Sequence, residues 1–380
     1  MLNDSWEKIV KHGGQGEEFT SVSSMGQYKI QVILELLEGC SYNCPGCFVK
    51  RKGNWNPQSI DIFYNLAKEL KDNNHIVLDD IVIGPTDFYG AQNLTDIINN
   101  EKLVQAISWM PEDNRNVQHN CSIDGSLNEK DIQGKLKLIE ESLLGKTVKA
   151  WDVQIALDLN KVLDDKDYRK ALDERVETFA NSNLEFEISM ATNIVDNISV
   201  ERIYEANNYI RNKYSTVIEI LPSVVRSFDN GNKHGNKLFE WNDLLNDIAK
   251  DVDYFKNNIH FLQGDLSHKA FHYSVIGIHN GNVYMSPFIY ENAAIYNDDF
   301  KIEINNSIHK SILNYKNYVV NEQIENSHNK ECITCKYLNI CSNRLIPKVM
   351  DNIFNNRKEC ILNKQVIELF DNEYYNANSY

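Results

Sequence analysis

From residue 29 to residue 221, short apolar runs of strand length alternate with amphipathic runs of helical length, and this alternation restricts the fold more than any other feature of the chain. Strands are predicted at Lys29–Leu36, Asp79–Gly84, Val117–Ile123, Trp151–Leu157, Leu184–Met190 and Thr216–Leu221. Helices are predicted between them, near Pro57–Lys71, Thr95–Trp109, Glu129–Leu144, Asp167–Ala180 and Val200–Lys213. Neighbouring parallel strands need a long crossover, usually a helix, so this order predicts a parallel α/β sheet. Six β–α units are too few to close a full (β/α)8 barrel.

Beyond about residue 227 the pattern changes. Asp229-Asn-Gly-Asn-Lys-His-Gly-Asn236 reads as a loop and is followed by a helix near Trp241–Asn257. Alternating residues from Tyr273 to Met285 flank Asn280-Gly281, a strong hairpin signal, and a helical run follows near Ser307–Ile324. The expected organisation is a lead over 1–27, a sheet unit over 28–226 and a cysteine-rich unit over 227–380. A net charge of −15 and a pI near 5.2 argue against a general nucleic-acid or anionic-membrane surface. The opening Met1-Leu-Asn-Asp-Ser-Trp-Glu lacks a basic, then apolar, signal sequence, and no apolar run reaches membrane-spanning length. Most of the eight cysteines fall into two compact clusters, which suits metal ligation in a reducing, cytoplasmic compartment better than a disulfide frame.

Chemistry concentrates directly after the first strand, in Cys40-Ser-Tyr-Asn-Cys44-Pro-Gly-Cys47-Phe48. Three thiolates in C-x3-C-x2-C spacing can hold three irons of a 4Fe–4S cluster and leave the fourth without a protein ligand. A structural zinc would need a fourth nearby ligand, and no histidine lies between His12 and His75. The stretch resembles the signature of the radical S-adenosylmethionine (SAM) superfamily. That resemblance implies a six-stranded (βα)6 partial TIM-type barrel with the cysteine loop at its C-terminal mouth. It also implies a reduced cluster that cleaves SAM to a 5′-deoxyadenosyl radical, which takes a hydrogen atom from a substrate.

The C-terminal cysteines, Cys332, Cys335 and Cys341 in C-x2-C-x5-C spacing and then Cys360, fit either a fully ligated cluster or a tetrahedral zinc on ligand type alone. This run is similar to the second auxiliary-cluster half of the SPASM/twitch extension of radical SAM maturases, which implies a second, auxiliary 4Fe–4S cluster here. The first auxiliary site of that extension has no counterpart. The hairpin reads Gly281-Asn-Val-Tyr-Met-Ser286 where the family has G-x4-C, and neither Asp265–Phe271 nor Ser342–Lys348 holds a cysteine. Two clusters are expected, not three.

For SAM itself, the resemblance points to Ile83-Gly84-Pro85-Thr86-Asp87, where the family has Gly-Gly-Glu-Pro to meet the amine. Gly84 admits a close backbone approach, and Thr86 and Asp87 supply polar groups. Ser122-Ile-Asp124-Gly125 is similar to a family Thr-Asn-Gly, and Gln154-Ile-Ala156-Leu-Asp158 to Ile-Ser-Leu-Asp, with Ala156 replacing a hydroxyl. Arg169 is a candidate fork for the SAM carboxylate, Thr192 and Asn193 are polar candidates after the fifth strand, and Phe48 is a surface for adenine. Tyr89, His119 and Glu187 are candidate bases by location. Cys121 reads as a buried structural thiol, because alternation turns it away from the face of Ser122.

The resemblance implies an enzyme that modifies a peptide or protein side chain, fed electrons by a flavodoxin- or ferredoxin-type reductant. The alternatives are a radical dehydrogenase or epimerase of a small molecule and, in another class, a non-catalytic iron–sulfur redox or sensing protein.

Overall fold

The computed structural model describes residues 28–38, 56–123, 127–193, 199–215, 218–221, 260–261, 273–285 and 301–315. The elements, in chain order, are β1 (Tyr28–Glu35), α1 (Pro57–Leu70), β2 (Ile76–Asp87), α2 (Leu94–Ile98), α3 (Glu101–Ser108) and β3 (Asn116–Ser122). There follow α4 (Glu129–Glu141), β4 (Ala150–Ala156), α5 (Leu159–Asp164), α6 (Lys166–Ala180), β5 (Phe186–Asn193), α7 (Val200–Tyr214) and β6 (Ile218–Leu221). The last are β7 (His260–Phe261), β8 (Tyr273–His279), β9 (Asn282–Met285), β10 (Lys301–Ile302) and a helix α8 over 308–315.

Among the described residues, ten strands form one sheet in the order β10-β9-β8-β1-β2-β3-β4-β5-β6-β7. The pairings from β8 to β7 are parallel, and only β8–β9 and β9–β10 are antiparallel. The six strands read from the sequence are therefore consecutive neighbours. The sheet then continues past them at both edges.

Alternation sets the two faces. Val117, His119 and Cys121 of β3 and Trp151, Val153 and Ile155 of β4 are buried in or beside the main core under the helices. Each crossover helix turns an apolar stripe to that core, as α1 does with Ile60, Phe63, Leu66, Ala67 and Leu70.

Local side chains set the helix boundaries. The single helix expected near Thr95–Trp109 is two, because the Asn100 side chain accepts from Leu103 N at 3.0 Å and starts a second helix. A short helix unforeseen in the sequence, α5, begins at Asp158, whose Oδ1 accepts from Lys161 N. Asp165 ends it and caps α6 through the amides of Asp167 and Tyr168.

The hairpin expected around Asn280-Gly281 is β8–β9, and both turn residues have positive φ, 48° and 71°, as its tight turn requires. It belongs to the main sheet: residues 29–34 of β1 pair in register with residues 273–278 of β8. Gly281 N donates to Ser59 Oγ at 3.1 Å, seating the turn on the start of α1. The far end of α1 grips α8, where Glu69 accepts from Ile308 N, His309 N and Ser307 Oγ and pairs with His309 Nδ1 at 2.8 Å. The helix predicted near Trp241–Asn257 lies outside the described residues.

Burial alone would raise the pKa of Glu69, but the amides of Ile308 and His309, the His309 ring and the Ser307 hydroxyl outweigh it and hold the pKa below the ordinary Glu value. A depressed carboxylate contributes stability above its unfolded pKa of about 4.3 and loses it as pH falls through the native value. We therefore expect the melting temperature to drop on acidification below about pH 4, with a smaller drop in Glu69→Gln. Thermal melts followed by circular dichroism at stepped pH test this.

Candidate functional site

The helix-facing side of β3, β4 and β5 is apolar, and the opposite side is polar in consecutive rows. Gln118 pairs with Asp152 and Asp152 with Glu187, while Asn120 pairs with Gln154 and Gln154 with Ser189. On the same side of β1, β2 and β8, Ile33, Val82 and Val275 form a small apolar cluster separate from the main core. The inside of a closed parallel barrel is normally packed with branched apolar side chains. Here Ala156 and Glu187 are exposed, and Asp152, Gln118, Asn120 and Ser122 are half-exposed. Gln154 between them is buried, so this face is polar rather than packed with branched apolar side chains. Among its described residues the rows carry Asp152 and Glu187 and no Lys or Arg.

In a parallel α/β sheet, chemistry gathers at the C-terminal ends of the strands. At that end β1 runs out through Leu36, Leu37 and Glu38, and Cys40 lies two residues further on. Asn93 braces this exit: its Nδ2 donates to Leu36 O at 2.8 Å and its Oδ1 accepts from Glu38 N at 2.9 Å. Gln92 N donates to Glu38 O at 3.1 Å beside it.

The neighbouring strand tip is irregular where the sequence placed the SAM contact. Ile83 pairs with His119 and Asp87 with Asn120, so residues 84–86 of β2 have no partner on β3. Such bulges recur beside active sites, where they free backbone from the ladder. Gly84 still pairs with Glu35 of β1. Thr86 is 4% exposed, and its buried hydroxyl has no hydrogen-bond partner. A buried hydroxyl left unmatched is costly without a ligand to meet it, so the bulge fits a bound polar group.

Asp87 sits deeper, 6% exposed. Its oxygens accept from Gly90 N at 2.6 Å and Ser122 N at 2.7 Å, tying the tips of β2 and β3 together. Under the same tips lies Arg175 of α6, 3% exposed, which donates to Ser122 O and Cys121 Sγ and reaches Glu129. Nothing in the sequence pattern distinguishes this arginine from the solvated charges of its helix.

Cys121 is fully buried on the helix side, and burial with the nearby Asp87 charge pushes its thiol up to about 12 despite Arg175. His119 and Tyr89 lie on that side too, joined Nε2 to OH at 2.9 Å among Phe88, Trp151 and Phe179. Burial pushes His119 down to about 3 and Tyr89 well up, so both are neutral core groups. Of the three candidate bases only Glu187 lies on the polar face.

The remaining SAM-pocket candidates are spread over the tips of β4 and β5. Asp158 caps α5, as described above. Arg169 Nη1 donates to Val162 O and Leu163 O, closing the C-terminus of α5, and its guanidinium lies 5.9 Å from the Tyr209 ring. Thr192 Oγ1 donates to Leu157 O at 2.9 Å, binding the ends of β5 and β4. Phe48, Asp124 and all seven cysteines read as ligands lie outside the described residues. Among the described residues no three His, Cys, Asp or Glu side chains converge to hold a metal, and no helix is long and apolar enough to cross a membrane.

No protein-family model matches the chain, and no curated protein matches it. Solved structures do. anSMEcpe with bound AdoMet and Cp18Cys peptide overlays with a TM-score of 0.55 at 14% identity, covering 92% of this chain and 99% of that one. His-tagged anSMEcpe with bound AdoMet gives a TM-score of 0.57 at 14% identity, over 90% of this chain and 96% of that one. Streptococcus suis SuiB bound to precursor peptide SuiA overlays at 0.45, too loosely to bear on the fold. The anSMEcpe likeness establishes an α/β fold with a parallel-dominated sheet, similar to the radical SAM enzymes of TIM-barrel type.

Three variants probe the support at the strand tips. Arg175→Met leaves the Ser122 carbonyl and the Glu129 carboxylate without their buried cation, and we expect a loss of about 3–5 kcal/mol in denaturant unfolding. Cys121→Ala should cost only about 1 kcal/mol. Burial lifts Asp87 to about 6, against the amides of Ser122 and Gly90 and the Arg175 charge. A native carboxyl pKa above the unfolded value means that stability falls as pH rises from about 4 to about 6. Asp87→Asn should flatten that slope in unfolding curves measured across the window.

Proposed function

We propose that this protein is a radical SAM enzyme of the SPASM/twitch kind that modifies a peptide or protein side chain. The observation that carries this reading is the position of the C-x3-C-x2-C loop. It leaves the C-terminal end of β1, in a sheet that overlays on AdoMet-bound anSMEcpe along nearly the whole chain. In this reading the strands β1–β6 are the six-stranded partial barrel, and the cysteine-rich part beyond about residue 227 is the SPASM/twitch-like extension. Cys40, Cys44 and Cys47 would hold the 4Fe–4S cluster with its open iron, and Cys332, Cys335, Cys341 and Cys360 a second, auxiliary one. Gly84, Thr86, Asp87, Asp124, Asp158, Arg169, Thr192 and Phe48 are the proposed surroundings of SAM.

When bound, the reduced cluster and SAM supply a 5′-deoxyadenosyl radical that removes one hydrogen atom from the substrate. The chain's own part is to bind, orient and exclude water. The β3-side edge of β2 at 84–86, which has no partner on β3, and the unmatched Thr86 hydroxyl offer hydrogen bonds to a ligand at the mouth. The amide and carboxylate rows of β3–β5 offer donors and acceptors to a polar substrate beneath it, and Ala156 ends β4 exposed, with no side chain beyond a methyl. A peptide is favoured because anSMEcpe, an anaerobic sulfatase-maturating enzyme of the radical SAM SPASM type, holds one in the overlaid structure. A flavodoxin- or ferredoxin-type protein would deliver the electron, in the cytoplasm.

The test is anaerobic reconstitution with iron and sulfide, reduction with dithionite, and measurement of 5′-deoxyadenosine from SAM. We expect about eight irons per chain, falling to about four with 5′-deoxyadenosine abolished in Cys40/Cys44/Cys47→Ala. Fully loaded protein that cleaves no SAM, with or without candidate peptides, would turn the reading toward a redox or sensing protein. Zinc at the C-terminal cysteines would remove the auxiliary cluster and leave the radical chemistry standing.

A further inference from the structure

Four asparagines stand at helix N-caps among the described residues, and one of them does not cap. The side chains of Asn56, Asn100 and Asn128 accept from Gln58 N, Leu103 N and Asp131 N, as an N-cap asparagine normally does. Asn93 precedes α2 but makes no such bond. Its amide, in a residue 6% exposed, is turned the other way, onto the backbone that leaves β1. It gives Nδ2 to Leu36 O and takes Glu38 N on Oδ1, so one side chain supplies the donor and the acceptor that a neighbouring strand would supply.

The place where it does so is specific. Pairing of β1 with β2 ends at Glu35–Gly84, and pairing with β8 ends one residue earlier, at Leu34–Ile278. Leu36 N already turns back onto Leu34 O at 3.1 Å, the start of a bend out of the sheet. From there to Glu38, no strand pairing fixes the path of the chain. Asn93, with Gln92 N on Glu38 O, holds the last described residue before the cysteine loop. The helix start is left without a side-chain cap, and this diversion is what a purely structural N-cap would not show.

We infer that Asn93 is a positioning residue for the cysteine loop: it fixes the direction in which the chain leaves β1 at Leu36–Glu38, the base from which that loop departs. The role rests on the radical SAM reading above and concerns that same site. It requires both ends of the amide. Alanine supplies neither, and aspartate keeps the acceptor for Glu38 N and loses the donor to Leu36 O.

The test uses full-length, reconstituted protein, wild type and the variants Asn93→Ala, Asn93→Asp and Ile97→Val. Ile97 is a fully buried residue of α2 whose amide donates to Asn93 O at 3.2 Å, a backbone bond that valine keeps, so its valine variant controls for loss of helix packing. Two readouts are needed: the electron paramagnetic resonance signal of the reduced protein with and without SAM, and the rate of iron loss to a chelator. Only a cluster with an open iron changes its signal when SAM binds, so the SAM-sensitive component reports the first cluster within the intact chain. Asn93→Ala is expected to shift or halve the SAM-sensitive signal and to lose that iron about tenfold faster, with Asn93→Asp between it and wild type. Ile97→Val should match wild type. Asn93→Ala with the wild-type signal and loss rate would overturn the inference, as would iron loss in both Asn93→Ala and Ile97→Val in proportion to their melting temperatures. Wild-type protein without any SAM-sensitive cluster would instead overturn the functional reading itself, and that result is read first.

Discussion

Residues 29–34 of β1 exchange parallel ladder bonds with β8 along one edge while β2 holds the other. A strand fixed on both edges can neither slide nor rotate, because a slip of one residue would exchange its core-facing and open-facing side chains. Ile30, Val32 and Leu34 are locked into the main core, and Ile33 into the small cluster on the opposite face. The direction of the chain at Glu35, and thus the starting point of the cysteine loop, follows from that lock. The supports at the mouth extend it: the Asn93 amide after β1, the Asp87 carboxylate between β2 and β3, and Thr192 between β4 and β5.

The two faces of the sheet divide the chemistry. Among the described residues, the ionisable groups under the strand tips on the helix side are neutralised by burial, as His119 and Cys121 are, or paired, as Arg175 is. On the other face Asp152 and Glu187 stand among amide side chains. Tyr89 and His119 illustrate the point: they lie within hydrogen-bond distance of one another on the helix side, and the sheet separates them from the polar face.

Much of this architecture is written in short-range pattern. Alternation in Val117–Ile123 and Trp151–Leu157 gives the strands and their faces, including the outward turn of Cys121. Asn280-Gly281 gives the hairpin, since both positions need positive φ. What pattern cannot give is pairing at a distance. Nothing in Tyr273–His279 indicates that this strand lies against β1, or that Glu69 caps a helix in the last quarter of the chain. The charges under the strand tips do not stand out in the sequence for a related reason. Arg169 and Arg175 are helical arginines of one segment, and only packing decides that the first closes the end of α5 and the second is buried under β3. Polar residues that serve backbone groups, such as Asn93 and Thr192, carry no sequence mark beyond their type.

The pairing of β1 with β8 also governs the order of events as the chain is made. Gly281 meets Ser59 across 222 residues, and the β1–β8 ladder spans a similar distance. At about 5–20 residues per second, the strand that carries the cysteine loop waits on the order of tens of seconds for its second neighbour. During that interval its free edge is a template for mispairing with another chain. Nascent chains of this protein are thus exposed to aggregation until the hairpin has left the ribosome, and a cluster inserted before then would have to be held by a strand secured along one edge alone.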